Sequence, residues 1–401
     1  MTTMLKLPLV AVLALAAGPA FANEIALLPA ADGDQVPSTL VAAKRALADG
    51  IERAPVEFSW ALDPAAKLDA PAPYVADSRE FWTEVEGAAL AKGVTLRTTA
   101  SGAVVRLSPR AGVAAPELAA DDVVVRQGGR TLRGADAIVD ADVALEFKSL
   151  GMAMPERTLA FRLGAGVDAG AFELSIAKAR GAYLVHVFEP ASAERLTLTS
   201  DRATAVAGGT IELVAALESP AGRTLGRVGG LATSPSGDAI ELAFARGSDG
   251  AWRAPFAPPA NATPGLWDVH AFAASADGEL ARDATVAIAV GAPTARIVGA
   301  SRNGKGAATA LDVTLEVAAA GRYNVSAVLY ATDASGALVP AAIAHSAAVL
   351  GAGRHALTLA FAPETLASAG LGTPYEVREL ALTNQGDLAP IEKRARAFAF
   401  E

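Results

Sequence analysis

Four histidines are the side chains best able to transfer a proton near neutral pH or to bind a metal ion: His186, His270, His345 and His355. Each stands alone, without a second histidine at the spacing of a zinc-binding helix and without a neighbouring carboxylate motif. We therefore expect structural roles for them. On this interpretation, His270 faces solvent and His186 is partly buried and hydrogen-bonded within a strand.

The possible nucleophiles and carboxylate clusters are no better candidates for a catalytic or metal site than the histidines. The chain has no cysteine, which excludes disulfides, thiolate chemistry and a lipid-modified cysteine. No serine lies in a Gly-x-Ser-x-Gly pattern, although a triad assembled from distant segments stays open. The best carboxylate groups, Asp32-Gly33-Asp34 and Asp136 with Asp140 and Asp142, lack the ligand spacing of a calcium loop. The sequence predicts no catalytic residue, no metal site and no cofactor, and it leaves the binding residues undefined.

The four tryptophans are the remaining candidates for ligand contact: Trp60, Trp82, Trp252 and Trp267. Exposed aromatic faces can stack on sugars or peptides, but core packing is the favoured interpretation here. Trp252 and Trp267 lie on predicted strands of one sandwich and are expected to fill its core. Trp82, beside Phe81, is the better candidate for a ligand or interdomain contact.

Composition and charge exclude several classes of protein. Of 401 residues, 52% are hydrophobic and 19% are charged, which is typical of a folded chain and not of a disordered one. The net charge of −9 argues against a basic nucleic-acid-binding surface, so no nucleic-acid partner is expected.

Residues 1–22 have the pattern of a secretory signal peptide. Met1–Lys6 is a positively charged start, Leu7–Ala17 is apolar, and Ala20-Phe21-Ala22 has the small residues that signal peptidase recognises. The apolar run is shorter than the roughly 20 residues that span a bilayer. We therefore expect cleavage before Asn23, a periplasmic or extracellular location, and no membrane span.

Short alternating segments separated by turns predict an all-β, multidomain protein. We expect an irregular β-rich N-terminal domain at 23–192, followed by immunoglobulin-like β-sandwiches of seven strands each at 193–293 and 294–401. The N-terminal domain is expected to include a short helix from Ser38 to Leu47 and a strand from Val143 to Phe147. Without disulfides, each domain must be stabilised by its packed core.

Local patterns set the register of several strands. Leu357, Leu359 and Phe361 fall on one face, with Thr358 on the other. Asp333 to Gly336 predicts a hairpin turn. Between Tyr375 and Leu382 the apolar parity slips by one residue, which predicts a β-bulge near Glu379.

Six segments carry a resemblance to a known family: Ser78–Trp82, Lys92–Leu96, Gly102–Pro109, Tyr323–Tyr330, Gly353–Phe361 and Thr373–Arg378. They resemble domain-of-unknown-function family 4785, a family of exported proteobacterial proteins. The last segments are also similar to immunoglobulin-like units of secreted proteases and adhesins, in which Gly-Pro-Tyr is usual where this chain has Thr373-Pro374-Tyr375. The resemblance implies export and β-sandwich modules, and it supplies no catalytic residues.

These observations favour an exported, non-catalytic protein that binds or scaffolds a ligand not defined by the sequence. The expected partner is another exported protein or a component of the cell envelope. The alternative is a secreted hydrolase whose site lies in the N-terminal domain. A third interpretation is a chaperone-like sandwich that pairs an exposed strand edge with a partner.

Overall fold

Antiparallel β-sheets make up nearly the whole molecule. The computed structural model describes residues 24–42, 50, 52–68, 73–140, 143, 155–302, 310–387 and 389–401. The segment that leads into the first sandwich contains β1 (Glu24–Ile25), β2 (Val56–Ala61) and β3 (Val75–Ser78). None of these three strands pairs within the sandwich that follows them in sequence, as described below.

In its described residues, the N-terminal sandwich has two facing sheets and a short α-helix. Its elements are β4 (Glu80–Glu86), α1 (Gly87–Lys92), β5 (Val94–Thr98), β6 (Val104–Pro109), β7 (Val123–Gln127), β8 (Arg130–Leu132), β9 (Ile138–Asp140), β10 (Leu159–Leu163), β11 (Gly170–Ile176) and β12 (Ala182–Phe188). One sheet has the order β4-β12-β6-β10-β9 and the other β5-β11-β7-β8. Alternating apolar residues such as Leu107, Val185 and Leu174 fill the core between them.

The middle sandwich is built in the same way. Its strands are β13 (Arg195–Ser200), β14 (Thr204–Val206), β15 (Ile211–Glu218), β16 (Leu225–Thr233), β17 (Ala239–Leu242), β18 (Ala245–Arg246), β19 (Trp252–Phe256), β20 (Gly265–Ser275) and β21 (Ala281–Gly291). One sheet has the order β17-β16-β20-β21, with β14 parallel to β21, and the other β18-β19-β15-β13-β3. Leu213, Trp267 and Val286 lie in its core.

The C-terminal sandwich completes the chain. It contains β22 (Ala295–Arg302), β23 (Ala310–Val317), β24 (Gly321–Thr332), β25 (Leu338–Leu350), β26 (Gly353–Ala360), α2 (Pro363–Ser368), β27 (Gly372–Asn384) and β28 (Ala389–Phe400). Its sheets have the orders β1-β22-β23-β26 and β2-β25-β24-β27-β28. The Thr373-Pro374 peptide bond is cis.

The prediction of an all-β, multidomain sandwich fold is confirmed. The first strands pair far from their position in sequence: β1 and β2 form edges of the C-terminal sandwich and β3 forms an edge of the middle one. The domain boundaries at 192 and 293 stay predictions, but these pairings place parts of residues 23–192 in the other two sandwiches.

Local predictions are largely confirmed. Leu357, Leu359 and Phe361 are buried, while Thr358 lies on the other face and donates a hydrogen bond to Asp312 Oδ1 at 2.7 Å. Glu379 has a φ of 50°, and the pairing of β24 with β27 shifts register between Ser326 and Val328, so the bulge is present.

Two other predictions concern the N-terminal region. Residues 38–42 of the predicted helix have irregular backbone, and its remainder, residues 43–47, lies outside the described residues. Val143 is helical, so the strand predicted from Val143 to Phe147 is wrong at that residue. Residues 144–147 and the predicted signal peptide lie outside the described residues.

Candidate functional site at the junction of two sandwiches

The N-terminal and middle sandwiches share one continuous sheet. Strand β21 of the middle sandwich pairs with strand β4 of the N-terminal sandwich at the single residue pair Asp283–Glu80. This pair joins one sheet of each sandwich, edge to edge, into a sheet of ten strands. Beside this narrow join, the strands separate and leave a groove of about 980 Å³. We call this space the junction groove. Its lining includes Phe81, Trp82, Thr83 and Arg97 of the N-terminal sandwich and Val228, Phe272, Glu279 and Asp283 of the middle one.

Trp82 is held firmly at this join. Its backbone N–H donates to Asp283 Oδ2 at 2.8 Å, which is an interdomain contact of the kind expected for this residue. Its ring stacks on His186 with 4.0 Å between centroids, and the guanidinium of Arg106 lies 4.7 Å from the ring centroid. The indole therefore presents a fixed surface to the groove.

Two histidine–carboxylate pairs lie on the same sheet face. His186 Nε2 is 2.9 Å from Glu80 Oε2, and this hydrogen bond lowers the pKa of Glu80. His270 Nε2 is 3.5 Å from the nearly buried Asp283 Oδ2. His186 is partly buried and hydrogen-bonded, as predicted, and His270 is partly exposed on the face opposite Trp267. Among the described residues, no group of three His, Asp or Glu side chains could hold a metal ion.

Phe272 forms the opposite wall of the junction groove. Its exposed ring lies over Gly229, where an added Cβ would come within 2.4 Å of the ring. Only a residue without a side chain leaves this space to the aromatic ring. At the rim, Arg97 Nε donates to Glu279 Oε2 across the two sandwiches at 3.2 Å. The groove thus combines aromatic walls with charged groups at its mouth.

A buried ion pair fixes the two walls relative to each other. Arg282 Nη1 of β21 donates to Glu189 Oε1 at 2.7 Å, and Arg282 Nη2 donates to Thr99 Oγ1 and Ser192 Oγ, each at 3.0 Å. Burial lowers the pKa of Arg282, and the charge of Glu189 opposes that effect. Thr99 belongs to the N-terminal sandwich and Arg282 to the middle one, so this cluster links the two sandwiches next to Ala281 and Asp283 of the groove.

The other candidates from the sequence lie apart from the groove. Trp267 is buried as predicted, and its Nε1 donates to Thr263 O at 2.9 Å, while Trp252 packs partly buried against the same core. His355 Nε2 lies 2.9 Å from Gly351 O, within hydrogen-bond distance. Trp60 was expected to pack in a core, but its side chain is half exposed beside Phe58 and His345, so that expectation is wrong for Trp60.

The predicted absence of calcium ligation at the aspartate groups stays a prediction, but Asp34 has a clear structural role. Its Oδ2 accepts from Ala31 N at 2.9 Å and its Oδ1 from Ala395 N at 2.8 Å, which ties the N-terminal segment to β28. Asp142 lies outside the described residues.

Comparison with known families identifies the chain's relatives. The N-terminal-domain model of the DUF4785 family, a domain of unknown function, matches residues 48–189, and the C-terminal-domain model matches residues 294–401. Together these matches cover more than half of the chain. The chain therefore belongs to the DUF4785 family.

One solved structure of this family has a similar overall fold. The crystal structure of a DUF4785 family protein from Legionella pneumophila is similar at a TM-score of 0.67 and 17% identity, over 90% of this chain and 98% of that one. A tetra-tandem repeat from the extending region of a large adhesion protein covers 82% of this chain and 75% of its own, with 15% identity and a TM-score of 0.22. Salmonella alpha-2-macroglobulin covers 82% of this chain and 21% of its own, with 13% identity and a TM-score of 0.27. The TM-scores of the adhesion repeat and of alpha-2-macroglobulin are too low to show a shared overall fold.

The search of curated proteins found no match to the chain. Among the described residues, no helix has both the length and the apolar character needed to cross a membrane.

Proposed function

We propose that this protein is an exported, non-catalytic binding protein that holds its ligand in the junction groove. The observation that carries the proposal is a concave space lined by two aromatic residues from different sandwiches, Trp82 of the N-terminal one and Phe272 of the middle one. Ligand sites favour concave surfaces at domain interfaces, where a few polar groups converge on apolar walls. Here the polar groups are the Arg97–Glu279 pair and Asp283.

Rigidity supports binding in this groove. The buried Arg282–Glu189 pair and the contact from Trp82 N to Asp283 connect the walls directly. A groove whose walls are already in position loses little conformational entropy when a ligand enters. The sandwiches then act as a scaffold that presents one preformed surface.

The proposed export rests on residues 1–22, whose charge, apolar run and small residues fit a signal peptide. A cysteine-free chain stabilised by three packed cores suits the periplasm or the medium without disulfide formation. The partner proposed is accordingly another exported protein or a component of the cell envelope.

The hydrolase alternative is motivated by the pairs His186–Glu80 and His270–Asp283, which could orient an imidazole for proton transfer. In the described residues, the hydrogen bonds and ion pairs of these two rings join them to carboxylates, with no hydroxyl nucleophile among the partners. The alternative predicts turnover of peptide, ester or glycan substrates that is lost when His186 or His270 is replaced.

Site-directed photo-crosslinking in the native cell envelope tests the proposal. A photoreactive amino acid at Thr83, inside the groove, should capture one defined partner, and Trp82→Ala or Phe272→Ala should abolish that capture. The same amino acid at the exposed Val349, on the C-terminal sandwich, is the matched control and should not capture it. Equal capture at both positions, or capture unaffected by the two alanine variants, would contradict binding in the groove. Hydrolysis that depends on His186 or His270 would instead favour the enzyme.

A further inference from the structure

A second concave site lies on the C-terminal sandwich, at the sheet edge formed by β2. It has a volume of about 500 Å³. Its walls come from the segment around β2, from strands β24 and β25, and from Gln385 just after β27; the polar and aromatic side chains that line it are Glu52, Phe58, Arg322, Asn324, His345 and Gln385. We call it the β2 pocket. It lies in a different sandwich from the junction groove, so nothing in its argument depends on the function proposed above.

An exposed aromatic cluster borders the β2 pocket. The rings of Phe58, Trp60 and His345 are nearly parallel, with centroid separations of 5.1–5.5 Å. The side chains of Phe58 and Trp60 are 45% and 50% exposed. Large aromatic residues are usually buried, because leaving one in water forfeits the free energy gained by burying its apolar surface. Their exposure side by side marks a surface suited to stacking on a ligand.

Arg322 lies in the lining of the β2 pocket and is only 4% exposed. Its Nε donates to Gln385 Oε1 at 2.8 Å and its Nη1 donates to Ala54 O at 2.9 Å. Both acceptors are neutral. In the part of the chain that the structure describes, no carboxylate forms an ion pair with this guanidinium. The hydrogen bonds from the backbone N–H groups of Ala54 and Arg53, and to a smaller extent the charge of Arg322, lower the pKa of Glu52, but this carboxylate is exposed to water. It compensates the buried guanidinium only weakly, so an anionic group entering the pocket would be stabilised by Arg322.

The remaining polar groups favour a hydroxyl-rich ligand. Asn324 and Gln385 supply amide groups that can donate to and accept from hydroxyls, and the nearby aromatic faces can stack on the apolar face of a sugar ring. Glu52 is the one acidic group of the lining, and its carboxylate is exposed to water, where its repulsion of an anion is screened. These groups together match a ring that carries both hydroxyls and a carboxylate.

We propose that the β2 pocket binds an acidic saccharide, with a sugar carboxylate bound to Arg322 and a sugar ring stacked on Phe58 and Trp60. Two sequence-distant segments build the site: β2 supplies the aromatic rings and β24 supplies the guanidinium. The hydrogen bond from Arg322 to Ala54 O positions the chain just before β2, so the cation also helps to assemble the aromatic wall.

Calorimetric titration of the full mature chain with trigalacturonic acid tests the site. The matched ligand is its fully methyl-esterified form, which keeps the rings and hydroxyls and removes the charge. We expect the acid to bind and the ester to bind at least about tenfold more weakly. Absence of binding by the acid, or equal binding of the ester, would overturn the proposal.

Protein variants separate the roles of the residues. Arg322→Gln and Trp60→Ala should each weaken binding about tenfold or more, whereas Glu52→Gln should strengthen it by removing a like charge. Trp60 is half exposed, so its variant should fold even if Arg322→Gln does not, and circular dichroism checks both. Leu266→Ala, which removes an exposed apolar side chain of β20 outside both concave sites, is the control and should leave saccharide binding unchanged.

An extended acidic peptide, triglutamate, completes the experiment. Binding of this peptide but not of the saccharide, with the same dependence on Arg322 and Trp60, would show that the pocket recognises a peptide and would overturn the saccharide assignment. Saccharide binding that is insensitive to Arg322→Gln and Trp60→Ala would place the ligand elsewhere and would equally overturn it.

Discussion

The side chains of Glu189 and Arg282 form a 2.7 Å ion pair whose members are 0% and 1% exposed, at the point where two sandwiches meet. The remaining oxygen of Glu189 accepts from Thr99 Oγ1 at 2.7 Å and from Ala100 N at 3.1 Å. The carboxylate of Glu189 thus accepts hydrogen bonds from residues of both sandwiches, Thr99 and Ala100 of the N-terminal one and Arg282 of the middle one, as a buried ion pair requires. This cluster therefore links the two sandwiches whose residues line the junction groove.

Replacing Arg282 by Met should destabilise the protein by about 3–5 kcal/mol, because Glu189 would stay buried without its counter-charge. The matched control is Arg97→Met, which removes an exposed cation from its pair with Glu279 and should cost no more than about 1 kcal/mol. Urea unfolding of both variants measures the difference. A loss of the same size in the two variants would show that the buried pair has no special role.

Leu359→Ala should destabilise the C-terminal sandwich by about 2–5 kcal/mol, because Leu359 of β26 is fully buried in the core between the two sheets. Thr358→Ala, on the opposite face, loses one hydrogen bond to Asp312 and should cost about 0.5–1.5 kcal/mol. Chemical unfolding of the full mature chain compares them. A larger cost for Thr358→Ala would contradict the strand register.

The lowered pKa of Glu376 predicts that the folded protein loses stability in acid. Its side chain is nearly buried, and its hydrogen bonds to Arg396 and Arg378 lower its pKa below the ordinary value of 4.5. The folded state therefore binds fewer protons than the unfolded state below pH 4.5, and the stabilisation, fully present at higher pH, is lost as the pH falls through the folded pKa.

The measurement for Glu376 is the difference in unfolding free energy between the wild type and Glu376→Gln, at pH 7 and at pH 3.5. We expect the wild type to be more stable at pH 7 and the difference to shrink at pH 3.5. The exposed Glu241 gives the control, Glu241→Gln, for which a small difference is expected at both values. A difference for Glu376→Gln that grows on acidification would have the wrong sign for this mechanism.

Export should remove residues 1–22, because signal peptidase recognises the small residues at Ala20 and Ala22 after an apolar run. N-terminal sequencing of protein recovered from the periplasm or the medium should start at Asn23. Ala22→Arg, which places a large charged side chain at the cleavage site, should slow processing, whereas Thr3→Ala should not. A mature protein that retains Met1 would refute this prediction.

The alternation of apolar and polar residues made the strands predictable, but it carries no information about which strands pair. Leu357, Leu359 and Phe361 reveal their common face within five positions, and the parity slip near Glu379 reveals the bulge in the same way. Pairing is decided by distant segments. Nothing near Phe58 and Trp60 indicates that they would lie beside His345, because that contact depends on β2 joining β25.

The candidate sites likewise contain residues with a local sequence signal and residues whose role depends on distant segments of the chain. The position of Trp82 beside Phe81 made it the sequence's candidate for a ligand or interdomain contact, and in the structure Trp82 contacts Asp283 and lines the groove. Arg322 gave no signal, since an arginine in an alternating strand predicts a solvent-facing side chain. Its burial follows from the segment at Ala54, which covers it from a distant part of the chain.

The position of β2 also determines the order in which the molecule can assemble. This strand is synthesised early, but its partner β25 is synthesised only after both other sandwiches. Closing so long a loop is entropically costly, and such contacts form late in folding. Until then Phe58 and Trp60 have no sheet to join, and an unpaired apolar strand is a target for chaperones and for aggregation. Transport that delivers the whole chain unfolded before the C-terminal sandwich forms would match this order of assembly.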